Sequence, residues 1–160
     1  MSTKPTQDSV KMVKQADVPR TYDPDGLRRR AACLCFKDRS EKEILLISST
    51  HDVTKWVVPG GGIDPGEEPD TAAAREALEE AGAAGVIDRL LGVFENSEKR
   101  TRTWVYAFYV EQLHDDWTEA RSLDRRRKWF QLRDARQALS DFKPLQVNYL
   151  NVMESAKVKA

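Results

Sequence analysis

Cysteine and histidine are scarce in this chain, with two of each in 160 residues. Cys33 and Cys35 have no second Cys/His pair, which argues against a sulfur- and imidazole-based metal centre. Alternating on a predicted strand, the two thiols face the same way and make poor disulfide partners, so they read as reduced core residues. His51 and His114 lie in polar, loop-like segments and read as surface residues rather than catalytic bases. No apolar run approaches the length of a membrane span, and the polar N-terminus has no signal-peptide core. Cytoplasmic residence, with the nucleus as a second location, is the expectation. Internal repeats and low-complexity linkers are missing too. Lys and Arg, at 26, are balanced by 26 Asp and Glu, so there is no net charge to suggest a partner.

With 40% hydrophobic residues, the chain suits one globular domain. Residues 1–18 carry scattered charge without periodicity and read as a flexible tail, leaving a domain over 19–157. Residues 31–36 and 43–49 read as strands, and Trp56-Val57-Val58 as a short strand with Trp56 in the core. Val86–Asn96 and Thr103–Glu111 follow, the latter alternating Trp104, Tyr106 and Phe108. Lys128–Leu132 reads as a strand, and Asp134–Leu139 and Leu145–Ala156 as helices. Strands mixed with a few helices predict an α/β sandwich, a mixed sheet covered by helices on both sides.

The richest stretch runs from Gly61 to Ala83, GGIDPGEEPDTAAAREALEEAGA. Pro69 suits a first helical position, where its missing N–H would be unpaired anyway. Asp70 suits the positive end of the helix dipole, the interior is rich in helix formers, and Gly82 supplies the stop. At ~100° per residue, Glu76, Glu79 and Glu80 share one wedge. Ala74, Ala77, Leu78 and Ala81 fall opposite, as an apolar stripe expected to dock on the sheet. On the helix alone, a solvated acidic face is the commoner explanation. The Gly60-Gly61-Gly62 turn and the isolated Glu67 favour another one, because a surface helix needs neither. Crowded carboxylates repel one another, and a hard divalent cation such as Mg²⁺ or Mn²⁺ relieves that repulsion. Arg75 is placed to orient a neighbouring carboxylate.

This stretch resembles the Nudix box, G-x5-E-x7-R-E-U-x-E-E-x-G-U with U a bulky apolar residue. Gly61, Glu67, Arg75, Glu76, Glu79, Glu80 and Gly82 all match, while Ala77 and Ala83 are smaller than the U positions prefer. Around the box, Arg20-Thr21-Tyr22-Asp23, Arg28 to Phe36, Trp56 to Gly62, Gly92 to Asn96 and Lys143-Pro144 are similar to diphosphoinositol polyphosphate phosphohydrolases. The resemblance implies the Nudix fold and an Mg²⁺-dependent hydrolase of phosphoanhydride bonds, with Mn²⁺ as a substitute. Its substrates would be inositol pyrophosphates, with diadenosine polyphosphates and inorganic polyphosphate besides. It also implies site roles: Glu79 as general base with Glu80 the alternative, and Glu76, Glu80, Glu67 and Gly60 at the metal. Substrate contacts would fall on Arg20, Arg28, Arg29, Arg30, Ser49, Lys99, Arg125, Lys143 and the Gly60–Gly62 backbone. Lys99 stands where relatives usually have arginine, and Lys128 where they tend to have glutamate.

Three basic clusters offset the acidic box: Arg28-Arg29-Arg30, Lys99-Arg100 with Arg102, and Arg125 to Lys128. Singly, each reads as a solvated face. Together, around an acidic site, they suit a small substrate bearing many phosphates. The chain shows no groove of stacking aromatics, which ranks nucleic acid lower as a partner. The alternatives are mRNA decapping, a nucleoside diphosphate-type pyrophosphohydrolase, and a phosphate-binding module without catalysis. A monomer is expected.

Overall fold

In the computed structural model, which describes residues 18–159, strand β1 (Arg28–Phe36) lies at the centre. Its residues Ala31 to Phe36 are all buried, as happens when both faces of a strand are covered. Alternation divides them between two cores. Ala32, Leu34 and Phe36 enter one, and Ala31, Cys33 and Cys35 enter the other. Strand β2 (Glu43–Ser48) divides the same way, Ile44 and Leu46 against Leu45 and Ile47. Both cysteines are buried free thiols.

The sheet runs β3 (Trp56–Val57), β2, β1, β6 (Thr101–Leu113), β5 (Ala83–Asn96). β4 (Gly60–Gly62) pairs with β1, and β7 (Arg127–Gln131) with β2. Among the described residues only the β1–β6 pair is parallel, from Arg28 opposite Thr101 to Phe36 opposite Tyr109. The three glycines predicted as a turn are therefore a strand, with Gly60, Gly61 and Gly62 opposite Ala32, Ala31 and Arg30.

Helix α1 (Pro69–Ala81) covers one face of the sheet through Ala72, Ala73, Ala77 and Ala81. Helices α3 (Leu132–Phe142) and α4 (Val147–Lys159), linked by a 3-10 turn at Pro144–Gln146, cover the other through Ala135, Leu139, Leu150 and Met153. Trp56 packs edge-on to Phe130, with ring centroids 5.2 Å apart. The mixed sheet between helices matches the predicted α/β sandwich. A short helix, α2 (Thr118–Ser122), has no counterpart in the sequence reading. No helix among the described residues is long and apolar enough to cross a membrane. The predicted tail, residues 1–18, lies outside the described residues except for its last position.

Candidate active site

Helix α1 begins with Pro69 in its first turn and ends at Gly82, whose φ of 65° is left-handed and returns its N–H to the Ala77 and Leu78 carbonyls. Arg127 donates to the Ala81 carbonyl at 2.9 Å and to that of His114 at 2.6 Å, and its guanidinium lies over Trp117. One member of the third basic cluster thus caps the helix that carries the box.

The glutamates are not on the solvent side of that helix. Glu76, Glu79 and Glu80 are 5%, 4% and 7% exposed, and it is Ala74 and Leu78 that are half-exposed. The buried arc passes from Ala72 and Ala73 through Glu76 and Glu80 to Ala77 and Ala81, which corrects the predicted opposition of acidic and apolar faces. Glycine makes this possible. A Cβ on Gly61 would stand 2.5 Å from the Glu76 carboxyl carbon, closer than any side chain tolerates. The Gly60 N–H donates to Glu80 Oε1 at 2.6 Å.

Arg75 organises the other oxygens. Its Nε and Nη2 grip Glu67, each at 2.8 Å, and Nη2 also donates to the Gly62 carbonyl at 3.0 Å. Its Nη1 donates to Glu76 at 2.9 Å and to Glu79 at 3.3 Å. Glu80 Oε2 accepts from Arg125 Nη2 at 3.1 Å.

Burial dominates the electrostatics. It pushes the Glu76 carboxyl up to about 7, Arg75 pulling against the rise and Glu79 adding to it. Glu80 is pushed well above the usual carboxylate range by burial, then by Glu76 and Glu119. Such a pair suits a hard cation, which replaces the proton each group would otherwise keep. Among the described residues no three acidic, His or Cys side chains form a ready-made cage.

A cleft of about 1250 Å³ opens beside Glu80, and Arg20, Arg28, Arg30, Lys99, Arg125 and Lys143 all line it. Ser49, Gly60 and Glu80 line it as well. Burial lowers the pKa of Arg28, with Arg20 and Arg30 adding to the effect. Arg28 Nε is buried and has no acceptor among the described residues. Burial likewise depresses Lys143, followed by the charges of Lys99 and Arg30. Cations that crowd and depress one another are short of an anion. A smaller adjoining cavity, about 240 Å³, is lined by Gly61, Gly62, Arg75, Glu76, Glu80 and Glu119 among others.

Three predicted residues are not brought to either cavity. Arg29, between Arg28 and Arg30, points to the opposite face of β1 and lies over Trp104, 5.3 Å from the ring centre. It thus lies apart from the cleft that Arg28 and Arg30 line. Glu67 and Glu79 line neither cavity and are held by Arg75. His51 is exposed on the rim of the large cleft. The lining residues that were not anticipated include Arg100 and Glu119. Arg100 belongs to the basic cluster of Lys99 and Arg102, and Glu119 has no spacing signal linking it to the box.

The NUDIX domain family model matches residues 26–150. Diphosphoinositol polyphosphate phosphohydrolase 3-alpha of Mus musculus is 48% identical over 136 residues, 84% of this chain and 83% of that protein. Diphosphoinositol polyphosphate phosphohydrolase 2 of Rattus norvegicus is 48% identical over 131 residues, 82% and 73% of the two chains. Among solved structures, a NUDIX hydrolase from Nitrosomonas europaea superposes with a TM-score of 0.64 at 23% identity, covering 81% of this chain and 89% of that one. A C. elegans Ap4A hydrolase in a binary complex gives 0.58 at 21%, covering 82% and 98%. The two structures speak for the fold alone. The box, the sandwich, the family match and the near-half identity over most of the chain agree: this chain belongs to the Nudix hydrolases, in the family of the diphosphoinositol polyphosphate phosphohydrolases.

Proposed function

We propose that this protein uses a divalent cation, Mg²⁺ by preference, to hydrolyse phosphoanhydride bonds in diphosphoinositol polyphosphates. One observation carries the reading. Two buried carboxylates stand beside a strongly cationic cleft: Glu80 lines it together with seven Lys and Arg side chains, and Glu76 lines the smaller cavity that adjoins it. A substrate with a phosphate at nearly every position of a small ring meets those cations from several sides at once, and arginine forks match phosphate geometry. The names of the relatives 48% identical to this chain support the same substrate class. Diadenosine polyphosphate and inorganic polyphosphate, which present fewer charges per volume, are proposed as secondary substrates.

Glu76 and Glu80, one helical turn apart, would hold the cation, with Gly60 beside them and Glu67 acting through Arg75. The cation supplies charge neutralisation at the phosphate oxygens and acidifies water near neutral pH. The chain's own residues do the rest. Arg28, Arg30, Lys99 and Lys143 bind and orient phosphates, and Arg75 fixes the carboxylates. Glu79 is the general base in the sequence reading; Glu80, which reaches both cavities, is favoured by its placement.

The test offers inositol pyrophosphate, diadenosine polyphosphate, polyphosphate and capped RNA together, with Mg²⁺ present. Preferential loss of the inositol pyrophosphate supports the reading, and preferential cleavage of capped RNA would replace it with decapping. Glu79→Gln and Glu80→Gln variants then assign the base. The one that lowers kcat by about 10²-fold or more holds that role, and two wild-type rates would remove the catalytic assignment.

A further inference from the structure

Glu119 is buried, 6% exposed, on a five-residue helix that belongs to no part of the box. Its carboxylate is not spent on the core. Glu119 Oε1 accepts from Arg125 Nε at 2.9 Å, and the Glu119 carbonyl accepts from the Arg125 backbone N–H at 3.2 Å. The chain reaches this contact by turning back through Asp124, a non-glycine residue with a φ of 52°. Such a conformation is costly for an L-residue, least so for Asp and Asn. From that anchor the Arg125 fork spreads in two directions. Nη1 donates to the Ser48 carbonyl and Nη2 to Glu80 Oε2 at 3.1 Å. Each of these nitrogens keeps a second N–H, on a side chain that lines the large cleft.

We propose that Glu119 is a positioning residue: by holding Arg125 Nε it sets the guanidinium so that one edge orients Glu80 while the remaining N–H groups face a substrate phosphate in the cleft. The inference rests on the hydrolase reading above and adds to it a residue outside the box. Three anchors on one arginine leave it a single orientation. A preorganised fork loses little freedom when a phosphate arrives. Without Glu119, the guanidinium is free to collapse onto Glu80 and block the carboxylate it now merely aligns.

Glutamine and methionine at position 119 separate the hydrogen bond from simple packing. Glu119→Gln keeps an acceptor in the same place, whereas Glu119→Met keeps volume and removes the acceptor. Both are measured for kcat and KM on inositol pyrophosphate with Mg²⁺, in the wild-type and Arg125→Ala backgrounds, with urea unfolding to establish that each is folded. Glu119→Met should lower kcat/KM by about 10–100-fold, and Glu119→Gln should recover most of that loss. In the Arg125→Ala background Glu119→Met should have no further effect, because the residue it acts through is gone. Methionine matching glutamine, or additive losses in the double variant, overturns the proposal and makes Glu119 a packing residue. A wild-type protein that fails to cleave the substrate contradicts the hydrolase reading instead, so the two failures are distinct.

Discussion

Arg28, Arg29 and Arg30 are consecutive, identical in charge and different in fate. Strand alternation sends the first and third into the cleft and the second over Trp104. Arg28→Ala or Arg30→Ala should raise KM for an inositol pyrophosphate by about 10–100-fold, the worth of a charge-assisted hydrogen bond of about 1.5–3 kcal/mol. Arg29→Ala should leave KM within about twofold and show instead as a small loss of stability. Steady-state kinetics on the three variants decide it, and equal KM effects would mean a structural role for the whole cluster. Gly61 makes a second case at this scale. Gly61→Ala places a methyl 2.5 Å from the Glu76 carboxyl carbon, so the carboxylate must move. Turnover should fall by about 10-fold or more while the protein stays folded by circular dichroism, since displacing a group by ~1 Å can cost as much as 10²-fold.

At the scale of elements, the two ends of the sheet respond oppositely to pH. At the β1–β2 turn, Glu41 has a left-handed φ of 57° and is nearly fully buried. Its carboxylate accepts from Arg89 at 2.8 and 3.1 Å, Tyr109 at 2.6 Å and Lys157 of α4 at 3.1 Å. Burial alone would raise its pKa, but these partners outweigh burial and hold it at about 2, against a usual 4.5. A folded-state pKa below the unfolded one contributes stability above pH ~4.5 that is lost as pH falls toward ~2. The wild type should therefore lose urea resistance over that range, and Glu41→Gln should lose less. At α1 the sign reverses. Glu76, pushed up to about 7 from 4.5, binds more protons folded than unfolded, so its contribution falls as pH rises from ~4.5 to ~7. A cation removes that penalty. Mg²⁺ should raise Tm more at pH 8 than at pH 5.5, and an equal rise at both would place the ion elsewhere.

At the scale of the molecule, buried carboxylates and a cationic cleft meet at two adjoining cavities because the sheet carries both. β1 supplies Arg28 and Arg30, β4 supplies the bare backbone, and α1 lays its glutamates along it. Much of this was legible in the chain. The ends of α1 were, because Pro69 and Gly82 act locally. So was the β-rich frame, because alternation and β-branched runs mark strands. β4 was not, since three glycines suit a turn as well as a strand, and only pairing with β1 decides between them. The buried side of α1 was misread because periodicity assumes that charge faces water, whereas here a site lies beneath the helix. Glu119 was invisible because its meaning depends on Arg125 and Glu80, brought to it only by the fold. The most direct test of the central claim is hydrolysis of a diphosphoinositol polyphosphate, followed by ³¹P NMR, on protein stripped of divalent metal and then supplied with Mg²⁺. The account predicts no turnover when stripped and recovery on addition, with loss of the β-phosphate signal. Cleavage that survives chelation, or an intact pyrophosphate after Mg²⁺ is restored, would contradict it.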